Sequence, residues 1–351
     1  MEKKERDINL DLIRCIAVIS VISVHFFLNT DFYTKNMVGK TMCLAAIMRT
    51  AFMVCVPLFI LLTGYLMNCK ILQKGYYKGI YHTLETYIIV SIIVLLFKYY
   101  YMKNIDIKNG FFSILGVNAN GYAWYVEMYI GLFLLIPFLN IIWNGLHTKK
   151  EHVTLIITLM ICTTFPTVFT MFHFFEGKSV FPDWWVSLYP IMYYYVGAYI
   201  KKYSLTRISP KVLLGLLSCT IISFGIINFF ISHGGHFLEG EYNKWYGFQN
   251  VINSILLFLA ILNIKLDRLP VIIKKVIIKI SQISFGIYLI SYIFDNMFYP
   301  IFNISVSNAK IKLWGFFIMV PLVFFCSVGA AQMIEILIRG IRKSFLYGVR
   351  I

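Results

Sequence analysis

The sequence predicts an all-α fold, a polytopic transmembrane helix bundle of about ten spans, and three observations predict it. Of 351 residues, 59% are hydrophobic and only 14% are charged, against about a quarter charged in an ordinary soluble domain. The apolar residues gather in blocks long enough to cross about 30 Å of hydrocarbon as helix, which takes about 20 residues. Positive charge is shared unevenly between the links that join those blocks.

Ten blocks carry the prediction, at 10–28, 43–68, 84–102, 122–143, 152–175, 184–203, 211–232, 246–264, 276–300 and 312–338. The first follows Lys3, Lys4 and Arg6, as a signal peptide would. It is too long for one, and Asn29-Thr30-Asp31 follows it in place of a small-residue cleavage site, so it is expected to stay as the first span. The links are short and carry loop residues, such as His233-Gly234-Gly235-His236. With no fixed-period repeat and no low-complexity tract, residues 1–351 are expected to form a single integral membrane domain.

With the N-terminus inside, cytoplasmic segments hold 21 Lys and Arg and the opposite loops hold eight. The positive-inside rule then predicts both termini in the cytoplasm of a multi-pass cell-membrane protein. The net charge of +16 is accordingly read as a topological device that meets anionic lipid headgroups, not as a nucleic-acid surface. The seven cysteines are scattered and include no C-x-x-C pair, so they are expected to act as small apolar fillers rather than a metal site or disulfide framework.

A charge at mid-bilayer costs about 2.5–3.5 kcal/mol on insertion scales, so ionisable residues within spans are functional candidates. They are Asp11, Arg14, His25, Arg49, Glu85, Lys98 and Glu127. Arg14 and His25 stand out. Eleven residues at 100° each return to within about 20° of the starting azimuth, so the two share one face of the first helix, about 16 Å apart along its axis. The competing reading has Arg14 reaching the inner headgroups and His25 at the interface. Arg49 is placed near the outer end of the second span, and Glu85, near the inner end of the third, is a candidate partner of Arg14.

Leu10-Asp11-Leu12-Ile13-Arg14-Cys15-Ile16-Ala17, continuing to Val24-His25, resembles the opening of acyltransferase-3 proteins, whose first helix carries an Arg and a His at this spacing. Pro57 to Leu66, with Thr63-Gly64-Tyr65-Leu66, resembles the family's second-helix segment. Trp124-Tyr125 with Gly131 to Pro137 resembles its fourth span, and Ile283-Ser284-Phe285-Gly286-Ile287-Tyr288-Leu289-Ile290 a late segment. The sequence departs from many relatives at Ser291 and at Tyr122-Ala123, where a histidine is common, and its Lys74, Lys78 and His82 stand where others carry an arginine-rich patch.

The resemblance implies transfer of an acyl group, often acetyl, from acyl-coenzyme A to a hydroxyl or amine of a cell-envelope carbohydrate. The donor is a substrate; no tightly bound cofactor and no metal is expected. Lys74, Lys78 and Arg14 are candidates for its phosphates or its arm, ordinary positive-inside charge being the favoured explanation of the two lysines. His25 is the candidate catalytic base, since an imidazole with an ordinary pKa near 6.5 takes a proton at neutral pH. A covalent acyl-histidine is the other route. Glu127, about five residues below the outer end of its span, is expected at the depth of His25 and is a candidate to orient the imidazole; water or Arg49 are its alternative partners. Asp11, Arg49, Glu85, Tyr288 and Ser291 are possible structural or substrate contacts. Ser281, Ser284, Tyr288 and Ser291 share one helix face, as helix packing alone would also require. The runner-up function is a transporter or flippase for a polar solute or envelope precursor.

Overall fold

The structure is a computed structural model that describes residues 6–103, 107–171, 183–204 and 208–348. Positions 172–175 of the fifth expected span lie outside this range, as do Lys3, Lys4, Lys178, Arg207 and Arg350. The described residues are 81% helical. Among the described residues no strand forms, and β pairing is limited to one bridge between Met37 and His233.

Its helices are α1 (Ile8–Asn29), α2 (Gly39–Phe52), α3 (Cys55–Met67), α4 (Tyr81–Phe97), α5 (Ile107–Leu115), α6 (Trp124–Gly145), α7 (Lys149–Thr163), α8 (Phe165–Thr170), α9 (Tyr189–Tyr203), α10 (Pro210–Ile231), α11 (Phe248–Asn263), α12 (Val271–Ser305), α13 (Ala309–Trp314) and α14 (Phe316–Gly348). Local chemistry sets several boundaries. Asp7 caps α1 by accepting from the Asn9 amide at 3.0 Å. Thr148 and Glu151 form a reciprocal capping box at the start of α7. The break between α2 and α3 falls at Met53–Val54. Pro57 has no N–H to offer the Met53 carbonyl four residues back, and its ring crowds that oxygen.

Nine helical stretches among the described residues are long and apolar enough to cross a membrane. The sixth expected span, 184–203, is the exception. Its helix α9 has 15 residues, about 22 Å of rise. A short turn at Val186–Leu188 precedes it, Pro190 sits in its first turn, and Lys201 and Lys202 lie in its last. These features end the helix short of the length that its apolar residues suggest.

Two compact units divide the chain: the part up to Leu72 with Leu135–Ile278, and Gln73–Leu134 with the part from Lys279 onward. In the first unit α3 and α9 pack at backbone distance. A Cβ on Gly64 would collide with the Tyr194 carbonyl, and one on Gly197 with the Leu61 carbonyl. Close approach through small residues is how helices gain packing energy where lipid offers as much apolar contact as protein does. The Gly-Tyr-Leu segment therefore has a structural reason for its glycine. Asn140 completes the joint. Its amide donates to the Met67 and Lys70 carbonyls at 2.8 and 2.7 Å, and its oxygen accepts from the Tyr194 hydroxyl at 2.7 Å.

In the second unit, Gly286 of α12 lies near Thr86 of α4 and Ala331 of α14. The Tyr76 hydroxyl donates to the Phe133 carbonyl at 2.8 Å, and its ring stacks on Phe133.

Gly64→Ala is expected to lower stability by about 1–3 kcal/mol, since the new methyl forces two backbones apart. Gly215→Ala, in α10 with nothing within 4 Å of its Cβ position, should be neutral or slightly stabilising. Thermal midpoints of the two purified variants in detergent test the contrast.

Candidate functional site

The first unit holds Asp11, Arg14, His25 and Arg49; the second holds Lys74, Lys78, Glu85, Glu127, Tyr288 and Ser291. Arg14 and His25 both lie in α1, which runs unbroken between them. The His25 side chain is buried, and the Asn29 amide donates to its backbone carbonyl at 2.8 Å. Asp11 is 1% exposed and holds two cations. Arg6 grips it with a fork, Nε to Oδ2 at 2.6 Å and Nη2 to Oδ1 at 2.8 Å, while Arg14 Nη1 reaches Oδ1 at 3.3 Å. Hydrogen bonding to Asp11 pushes the Arg6 guanidinium further up from its ordinary value. One buried carboxylate thus fixes an arginine whose own side chain remains 31% exposed. The expected pairing of Glu85 with Arg14 is replaced: Arg14 meets Asp11, and Glu85 meets Arg342, whose Nε donates to it at 3.0 Å.

Arg49 lies in the last turn of α2. It is 1% exposed and fully enclosed. Nε donates to the Tyr33 hydroxyl at 2.8 Å, Nη2 to Glu239 at 3.0 Å and Nη1 to the Asn243 carbonyl at 3.4 Å, with the Phe237 ring 4.6 Å from the guanidinium carbon. Burial pushes the Tyr33 phenol up despite the neighbouring guanidinium, which keeps it a neutral hydroxyl. The guanidinium thereby joins the loop after α1 to the connection before α11.

A band of carboxamides lies beside it. Asn228 and Gln249 exchange hydrogen bonds at 3.0 and 3.1 Å, and Asn228 also donates to the Thr50 hydroxyl at 3.3 Å. Asn250 donates to the Asn243 and Lys244 carbonyls at 2.9 and 2.8 Å. Asn253 and Ser254 are wholly buried on the same helix. A search of the spans for charge passes over these residues because amides are neutral. Their signal is spacing: positions 249, 250, 253 and 254 share one side of α11 within an otherwise apolar block.

In the second unit the buried acid is Asp295, which is 0% exposed and accepts from the Tyr122 hydroxyl at 2.7 Å. It follows Ser284, Tyr288 and Ser291 at intervals of four, three and four residues, so the stripe on α12 continues to a carboxylate. Tyr288 donates its hydroxyl to the Tyr122 carbonyl, and Ser291 donates back to the Tyr288 carbonyl at 2.8 Å. Lys98 donates to the Ala119 carbonyl at 2.7 Å and lies over the Tyr292 ring. Glu127, by contrast, lies on an exposed side of α6, and Lys74 and Lys78 are exposed in the segment before α4. His25 and Glu127 are held by different units, each with its own contacts.

The family model described as an acyltransferase domain, that of the acyltransferase-3 proteins, matches residues 7–335, from one residue before α1 into α14. No curated protein matches the chain, and no solved structure does. A match over nearly the whole length, on a multi-pass helical bundle whose first helix carries the buried His25 and the Asp11-bound Arg14, places the chain in the acyltransferase-3 family, and it is a membrane acyltransferase.

Proposed function

We propose that the chain transfers an acyl group, acetyl being the expected one, from acyl-coenzyme A to a hydroxyl or amine of a cell-envelope carbohydrate, with His25 as the catalytic base. The observation that carries this reading is α1 itself: a buried imidazole and a carboxylate-anchored guanidinium eleven residues apart on a helix of membrane length. Their axial separation, about 16 Å, suits an elongated donor whose polyanionic end and thioester end need different surroundings. Within the first unit Arg14 meets the donor arm or a phosphate; Lys74 and Lys78, exposed in the second unit, are read as positive-inside charge.

His25 takes the proton of the acceptor O–H or N–H as the oxygen or nitrogen attacks the thioester carbonyl. The C–S bond then breaks, and the leaving thiolate collects that proton from the imidazolium, so coenzyme A departs as the thiol and the base is restored. Asp11 acts through Arg14. A guanidinium held at one nitrogen keeps its planar fork in a fixed direction, which a flexible ammonium does not.

His25→Ala is expected to abolish acyl transfer from acetyl-coenzyme A by the purified, folded protein. Full activity in that variant removes imidazole catalysis. Saturable solute movement in vesicles with no loss of acyl groups identifies a transporter instead.

Arg14→Ala should raise the KM for the donor roughly tenfold or more, and Arg14→Lys less. Asp11→Ala should weaken donor use in the same direction and cost about 1.5–3 kcal/mol in stability, the range for hydrogen bonds to a charged partner. Unchanged donor kinetics in both Arg14→Ala and Asp11→Ala would make this end of α1 purely structural. The measurement is initial rate against acetyl-coenzyme A concentration, with thermal midpoints alongside.

Positive-inside asymmetry supports cytoplasmic termini, which require an even number of crossings and hence that the 15-residue α9 crosses together with the turn before it. A reporter fused after Ile351 should be active on the cytoplasmic side, and an external signal overturns the assignment.

A further inference from the structure

Of the buried polar atoms in the first unit that lack a hydrogen-bond partner among the described residues, five belong to one tyrosine and three asparagines on two adjoining elements. They are Tyr242 Oη, Asn243 Oδ1, Asn250 Oδ1 and both Nδ2 and Oδ1 of Asn253. Each of the four side chains is at most 1% exposed. The Asn250 amide ties the elements together through the Asn243 carbonyl at 2.9 Å, and Asn250 and Asn253 stand three residues apart on one side of α11. Their neighbours Asn228 and Gln249 satisfy each other, so amides in this band do find partners where the fold supplies them.

The chemistry of the set is narrow. None of the four side chains carries a charge, and the cation beside them, Arg49, is matched by Glu239. The atoms comprise three amide oxygens that only accept, one amide nitrogen that only donates, and a phenol that does either. An anion would face three acceptors, a cation would leave the nitrogen unmet, and an apolar group would satisfy none. Hydroxyl groups, each a donor and an acceptor, answer all of them.

Two anchors set the level of the cluster. Asn9 at the start of α1 donates to the Ile261 and Ile264 carbonyls at the end of α11, at 2.6 and 2.8 Å. At the other end Arg49 joins Tyr33, just after α1, to Asn243, just before α11. The helices are therefore antiparallel. Counting from Asn9 and Ile261 at equal rise, Asn253 stands level with Ala17 and Asn250 with Ser20, between the levels of Arg14 and His25.

We propose that Tyr242, Asn243, Asn250 and Asn253 form a binding site for a neutral polyhydroxyl group, a sugar, within the first unit. Its role as the acceptor site rests on the acyl-transfer function proposed above. The ligand reaches the amides when the connection 232–247 lifts. That connection is held by Arg49 through Glu239, whose side chain is 50% exposed, and by the pairing of Met37 with Gly234 and Gly235.

Equilibrium binding of radiolabelled methyl glycosides of glucose, galactose and N-acetylglucosamine to the full chain in nanodiscs tests the site. At least one glycoside should bind saturably, and Asn253→Leu should weaken it tenfold or more. The thermal midpoint of Asn253→Leu without ligand should equal or exceed that of the unaltered chain, because leucine removes two unmet polar atoms at similar volume. Absence of saturable binding, equal binding by Asn253→Leu, or a lowered midpoint that marks Asn253 as a packing residue each overturns the proposal. Acyl loss from acetyl-coenzyme A is measured in parallel. Acyl loss without glycoside binding removes the sugar site and leaves the transferase reading; glycoside binding without acyl loss does the reverse.

Discussion

Hydrocarbon does not hydrogen-bond, and most of this chain is organised by that fact. A buried donor or acceptor left unmet costs about 1–3 kcal/mol, and charged groups cost more. Several enclosed polar residues are accordingly saturated in specific ways. Asp11 receives two arginines, Arg49 spreads its guanidinium over a phenol, a carboxylate and a carbonyl, and Asn140 closes the end of α3 while accepting from Tyr194. Arg49 and Asn140 join segments distant in sequence, so satisfying polar atoms and assembling the bundle are largely one process. The apolar residues choose the membrane; the polar minority chooses which helices meet.

Glycine supplies the complementary constraint. Dispersion between helices must exceed what lipid tails offer, and that requires contact closer than ordinary side chains allow. Gly64 and Gly197 face each other's backbones across α3 and α9, and α9 is the helix too short to meet the length of a span. Its place is secured by backbone proximity and by tyrosines: Tyr194 donates to Asn140, Tyr195 to the Leu139 carbonyl at 2.9 Å and Tyr193 to the Trp245 carbonyl at 2.7 Å.

Much of this was legible in the residues. Apolar block length revealed the class and most of the helices, because the bilayer imposes one length on every span. The helical repeat put Arg14 and His25 on one face, and the combined motifs pointed to the family. What stayed hidden was partnership. Arg49 reads as interfacial from its place in the block, yet the connection carrying Glu239 and Asn243, 190 and 194 residues away, encloses it. Glu85 and Arg342 are likewise 257 residues apart. Asp295 was accessible in principle, as the next member of the Ser284–Tyr288–Ser291 stripe, but near the end of a long block it looks like a boundary residue. The amides of α11 carry no charge and so leave no trace in a search for charge.

The two buried-end arginines show how the same side chain serves different ends. Arg49, at 1% exposure, has its charge matched by Glu239 and each of its three nitrogens bound to the protein, at Tyr33, Glu239 and Asn243. It is a structural tie. Arg14 is held at one nitrogen by a carboxylate that is itself buried, while 31% of its side chain stays accessible. Unmet hydrogen-bonding capacity, in a place where the fold meets it for neighbouring groups, distinguishes Asn253 from Gln249 four residues before it on the same helix.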